Sequence, residues 1–169
     1  RKFLRRSRSQ RKLPKSTFKR IAAMTEQQPV IYWDASAILS ALFSDSHSQT
    51  AKKWVDRGGI HFMSSLSFAE VCAVISRMRR EGFITDVLLQ SATEVLNNGP
   101  WRRLQILPDW LTTRALSLKW SLRGADLWHL ATAKGLQNDF PELVLLSFDS
   151  RLAQSAQGES LQGSMQSGA

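Results

Sequence analysis

A single cysteine, Cys72, stands in the chain, so no internal disulfide can form. That scarcity suits a reduced, cytoplasmic setting, and the apolar helical pattern around Cys72 predicts a buried, inert thiol. Zinc spacing is missing as well, because one thiol and three scattered histidines (His47, His61 and His129) make no ligand motif. No apolar run approaches the ~18–20 residues that span a membrane; the longest, such as Leu143–Leu146, are strand-sized. A Gly-rich phosphate loop, a Ser-His-Asp order and an internal repeat are all absent.

Acidic residues are absent from one end. Residues 1–23 hold ten of the 23 basic side chains and none of the 14 acidic ones. Residues 24–169 therefore carry 13 basic and 14 acidic groups, and the formal charge of +9 belongs to the leader rather than the body. A segment so rich in Arg and Lys and so poor in large apolar residues is expected to be disordered over residues 1–28. Met24, which opens MTEQQPVIYWD, is the expected native start. At the other end, residues 157–169 are Gly/Ser/Gln-rich and are expected to be disordered too.

What is there, between residues 29 and 156, alternates short apolar runs with helical periodicity. Pro29–Trp33, Ile60–Met63 and Leu143–Phe148 predict strands, and Leu104–Leu107 a fourth. Helices are predicted over Ala35–Phe43, Ser48–Arg57, Ser67–Arg80, Thr85–Leu96, Trp110–Trp120, Ala125–Leu136 and Ser150–Ala156, with Asn97-Asn98-Gly99-Pro100 as a strong break. Alternation of this kind predicts one α/β domain, a parallel sheet flanked by helices on both faces.

Two of the clear strands run straight into an aspartate, Asp34 after PVIYW and Asp149 after LVLLSF. Asp126 opens a helix, and Glu70 is expected in the first turn of the helix that starts at Ser67. In an open parallel sheet, strand C-termini and helix N-termini share one edge, where ligands bind. Four acids separated by 36, 56 and 23 residues can thus meet there. Each acid alone also suits a helix cap, and Ser67-Phe-Ala-Glu70 matches a capping box. Together, abutting the most apolar segments without Lys or Arg neighbours, they would repel one another and require a cation. All-oxygen ligands suit Mg²⁺ or Mn²⁺ rather than zinc.

The same segments resemble the PIN-domain nucleases, especially the VapC-type toxins of toxin–antitoxin pairs. VIYWDASAIL is similar to the family's opening strand, with Asp34 as its first aspartate and Ser36 as the following hydroxyl. SSLSFAEVCAVISR resembles the segment bearing the family's glutamate, here Glu70, with Arg77 seven residues on. LRGADLWHLATA is very similar to the third motif, giving Asp126 and its companion His129. VLLSFDSRLAQSA resembles the last, with Asp149 as carboxylate and Ser147 where most members have Thr.

The resemblance covers about Val30 to Ala156. It implies a PIN-like, Rossmann-like fold and a Mg²⁺-dependent endoribonuclease (Mn²⁺ substituting) whose catalytic and metal-holding acids are Asp34, Glu70, Asp126 and Asp149. Ser36, Ser147 and His129 would support those carboxylates, and Arg77 would contact RNA or a partner. A small antitoxin and a second copy of the chain are the implied protein partners, with no membrane association. The alternative is a catalytically silent PIN-like module that binds RNA or protein. A phosphatase on a similar sheet would need an acid two residues after the first, where Ser36 stands.

Overall fold

The computed structural model describes residues 28–162; the expectations for residues 1–27 and 163–169 fall outside them. Strands β1 (Val30–Trp33), β2 (Ile60–Ser64), β3 (Trp101–Leu104) and β4 (Val144–Leu146) form one sheet in the order β3-β2-β1-β4. Every pairing is parallel, with Val30 opposite Ile60, Ile31 opposite Val144 and His61 opposite Trp101. β1 and β2 are buried along their whole length, as strands covered on both faces must be.

Successive residues of β1 serve opposite cores. Val30 and Tyr32 join Ile60, Phe62, Leu130, Leu136 and Leu152 on one face. Ile31 and Trp33 join Ile38, Trp54, Met63, Val71 and Ile75 on the other. The first face is covered by α5 (Trp110–Lys119), α6 (Gly124–Leu136) and α7 (Ser150–Gly158). The second is covered by α1 (Ala35–Leu42), α2 (Ser48–Asp56), α3 (Ser65–Arg80) and α4 (Asp86–Asn98). Cys72 lies half-buried against this second core, and burial pushes its thiol up, away from the reactive thiolate. Among the described residues no helix is long and apolar enough to cross a membrane.

One close approach sets how β1 and β2 begin together. Ile60 N–H donates to Pro29 O at 2.9 Å, which brings the backbone of Gly59 against Pro29. Gly59 has φ +101°, and a Cβ there would sit 2.2 Å from Pro29 O, so only glycine fits.

Three expectations need correction. The strand predicted at Leu104–Leu107 lies instead at Trp101–Leu104. Trp101 and Leu104 turn inward, Trp101 edge-on to Trp33 at 5.8 Å, while Leu107 is exposed and Pro108 follows. Helix α3 begins at Ser65, two residues earlier than predicted, with Ser64 as N-cap accepting from Ser67 N–H. Glu70 is therefore in the second turn, and the capping box does not form. Finally, the tail predicted to be disordered from 157 is packed as far as the structure describes it. α7 runs on to Gly158, Ser160 turns through φ +59°, and Leu161 is fully buried. Leu161 donates its N–H to Ala156 O and accepts Leu145 N–H, both at 2.8 Å, so this residue lies beside β4.

Candidate functional site

The strand order places β1 beside both β2 and β4, so the chain leaves β1 toward β2 and β3 and returns to its other side for β4. Such a reversal opens a crevice at the strand C-termini. Asp34 follows the last residue of β1, and Asp149 follows β4 with Ser147 and Phe148 between. Asp34 N–H donates to Leu146 O at 3.2 Å, which joins the two strand ends.

Both aspartates also cap helices. Asp34 accepts Ala37 N–H at 2.8 Å, and Asp149 accepts the N–H groups of Arg151 and Leu152 at 2.9 and 3.0 Å. Asp126 lies in the first turn of α6, but the N-cap there is Arg123 and no side chain caps the helix. Capping accounts for two of the four acids and leaves Asp126 and Glu70 unexplained.

Asp34 is the innermost. It is 5% exposed, and burial raises its carboxyl above the ordinary value against the opposing pull of Ala37 N–H, Ser147 and Ser36. Ser36 Oγ donates to its two oxygens at 2.8 and 3.0 Å, and Ser147 Oγ to Oδ2 at 2.7 Å. The two hydroxyls also accept from the chain that carries Asp149, Ser36 Oγ from Phe148 N–H and Ser147 Oγ from Asp149 N–H. One carboxylate and two hydroxyls thus lock the ends of β1 and β4 together.

Glu70 and His129 meet over the same edge, one from each helix layer. Their Oε2 and Nε2 atoms are 2.8 Å apart, and His129 Nδ1 is 2.9 Å from Tyr32 Oη. Burial pushes the Tyr32 phenol far up, so it keeps its proton as a donor. With His129 Nδ1 accepting that proton's hydrogen bond, Nε2 carries the hydrogen donated to Glu70. Sequence reasoning missed Tyr32, although a residue two before Asp34 on a strand points to the same side as the aspartate.

Asp126 is half-buried; burial raises its carboxyl first, then repulsion from Asp149, opposed by His129, and then repulsion from Glu70. Of the four acids, only Glu70 meets a basic side chain within 4 Å among the described residues, the His129 imidazole that donates to it. The acids grade outward from buried Asp34 through half-buried Glu70 and Asp126 to exposed Asp149. Their all-oxygen donor set is the kind hard divalent ions take. They do not close a cage by themselves: among the described residues no three His, Cys, Asp or Glu side chains are grouped as a complete metal site. An ion would fit this edge by drawing the outer acids inward or by using water as intermediate ligand. Arg77 is exposed in the last turn of α3, about 10 Å along the helix from Glu70 and on the same face.

Comparisons with known proteins bear on the fold and the family. Ribonuclease VapC45 of Mycobacterium tuberculosis is 28% identical over 137 residues, covering 73% of this chain and 87% of the relative. The solved structure of PAE2754 from Pyrobaculum aerophilum superposes with a TM-score of 0.55 at 17% identity, over 77% of this chain and 81% of that one. The M. tuberculosis toxin VapC20, which cleaves the sarcin-ricin loop, superposes with a TM-score of 0.51 at 15% identity, over 74% and 94%. At such identities the solved structures speak to the fold alone. The PIN-domain family model, however, matches residues 31–157, from β1 through α7 and across all four acids, and so the chain belongs to the PIN-domain family.

Proposed function

We propose that this protein is a Mg²⁺-dependent endoribonuclease, able to use Mn²⁺ instead, and the toxin of a type II toxin–antitoxin pair. The observation that carries the reading is the run of four carboxylates along one sheet edge, from buried Asp34 out to exposed Asp149. Asp126 is repelled by Asp149 and Glu70 and eased by His129 and Arg123, and no Lys or Arg forms an ion pair with any of the four acids among the described residues. Family membership and the likeness to a VapC ribonuclease support it.

Asp34, Asp126 and Asp149 would hold the ion, directly or through water, and Glu70 would complete the set or orient the attacking water. Bound there, a divalent ion supplies the charge that activates water and balances negative charge gathering on the phosphodiester. The other residues act on the acids. Ser36 and Ser147 fix both oxygens of Asp34, and His129 holds Glu70 in one orientation. Arg77 is assigned to contact with RNA or a partner. An antitoxin and a second copy are the proposed protein partners in a cytoplasmic setting. Exposed Leu107, Trp110, Leu111 and Leu118 around α5, and Phe83, Val87, Leu88 and Val95 around α4, give them apolar surface to bury.

Purified protein is expected to cut single-stranded RNA with Mg²⁺ or Mn²⁺ and to stop in EDTA, as read on a labelled oligonucleotide. Cleavage that survives thorough chelation overturns the metal mechanism. The open spacing of the acids favours one competing reading, a silent RNA- or protein-binding module; RNA binding without any metal-stimulated cleavage would establish it. Growth arrest on induction, relieved by a small protein encoded next door, tests the toxin assignment.

Residues 1–23 carry ten positive charges and none of the four site acids. Deleting them is expected to leave turnover at saturating RNA unchanged. Non-specific RNA affinity should fall, and its dependence on salt should flatten, because fewer counterions are released. Loss of turnover at saturation would instead make the leader part of the site.

A further inference from the structure

Beside the acids, two aromatic rings lie face to face at the surface. His47 precedes α2 and Phe148 lies between Ser147 and Asp149; their ring centroids are 4.5 Å apart and their planes differ by 9°. His47 is exposed and Phe148 half-buried. Both are held in place. Phe148 N–H donates to Ser36 Oγ at 2.9 Å, the hydroxyl that also donates to Asp34.

The loop before His47 is pinned by Asp45. Its carboxylate accepts Ser40 Oγ at 2.7 Å, His47 N–H at 2.7 Å and Ser48 Oγ at 3.0 Å. Burial opposes that charge, yet these hydrogen bonds outweigh it and hold the Asp45 carboxyl below its ordinary value. Ser48 Oγ is tied in turn to Phe43 O and Asp45 N–H. The backbone carrying each ring is thus fixed, and the His47 ring itself rests on Phe148, so the platform needs little loop rearrangement to bind, which is what preorganisation means for affinity.

We propose that the His47–Phe148 stack is a platform for a nucleobase of single-stranded RNA, seating the nucleotide beside the phosphodiester presented to Asp34 and Asp149. The chemistry is that of a π face on a π face. Bases splayed from single strands stack on aromatic side chains, including histidine, and every base offers such a face. Phe148 backs His47, and the exposed ring extends the stack outward by one base.

The proposal rests on the ribonuclease reading, and its test separates the two. Full-length protein is assayed on a short RNA for KM and kcat. The binding of an RNA carrying 2-aminopurine, whose fluorescence is quenched by stacking, is followed in EDTA. His47→Ala is expected to raise KM and the dissociation constant about 5- to 30-fold, with kcat within about twofold, and to abolish the quench. His47→Phe is expected to restore both. Unchanged KM and quench in His47→Ala overturns the platform while leaving the ribonuclease intact. A lowered Tm and kcat that Phe does not restore also overturns it, making the stack a structural tie between loops. If the wild type cuts no RNA the ribonuclease reading fails, and the quench still decides: present in wild type and lost in His47→Ala, it supports a base platform, and absent in wild type, it overturns one.

Discussion

Asp126→Asn is expected to melt about 2–4 °C above the wild type in EDTA, at neutral pH, and to lose nearly all Mg²⁺-dependent cleavage. Two unit charges ~5 Å apart repel by ~3 kcal/mol at an effective dielectric near 20. Asp126 is only half-buried and the acids can share protons, so solvent screening leaves about 1 kcal/mol to recover. That amount corresponds to a few degrees in a domain of this size. Asparagine keeps the shape, and no cap is lost because Asp126 makes none.

The pH dependence has a definite sign. Burial and the neighbouring acids raise the Asp126 carboxyl from its ordinary 3.8, so the folded protein takes up a proton before the unfolded chain does. Its contribution to stability is fully present below 3.8 and is lost as pH rises through the elevated folded value. The advantage of the Asn variant in EDTA should therefore shrink on acidification toward 3.8. Added Mg²⁺ should stabilise wild type by linkage and the variant much less. Activity should fall by more than the roughly 10- to 100-fold typical of losing a supporting hydrogen bond. An Asn variant that melts lower in EDTA and responds fully to Mg²⁺ would remove Asp126 from the site.

His129→Ala should have the opposite effect on stability and a large one, a loss of about 3 kcal/mol, or roughly 6–12 °C in Tm. The imidazole is 1% exposed and joins Tyr32 Oη to Glu70 Oε2. Its removal opens a cavity, strands a buried phenol that must still donate, and frees Glu70. Tyr32→Phe deletes one end of the chain without a cavity and should cost only about 1 kcal/mol. Because both variants break the same hydrogen bond, their effects should be less than additive in a double-mutant cycle. The cleavage rate should fall in both, as Glu70 loses its fixed orientation. A His129→Ala protein melting within a degree or two of wild type would show that the bridge carries no such load.

Much of this molecule was legible in one dimension because its signals are local. β1 and β2 read as buried strands since continuous apolar residues suit a sheet covered on both faces. Asp34 and Asp149 read as strand-end aspartates and prove also to be caps, an interaction reaching only three residues along the chain. The gathering of four acids along one edge followed from strand and helix polarity, which chain order alone dictates in a parallel sheet.

Tertiary structure decided whatever depends on a distant partner. Trp101, not Leu107, became the inward residue of β3 because Trp33 supplies a ring for it to meet edge-on. Glu70 left the capping box for a histidine 59 residues away. Leu161, inside a segment whose composition reads as disordered, is held by β4 and the end of α7. The stack of His47 on Phe148 has no signature at all in a sequence that separates the two by a hundred residues. The sequence by itself determined the order of strands and helices, the two caps and the edge where the acids gather, because backbone geometry enforces these over a few residues. Which acids stay uncapped, which pair and which crowd was decided by side chains meeting across the sheet edge, where desolvation and Coulomb energy depend on distances that only the folded chain sets.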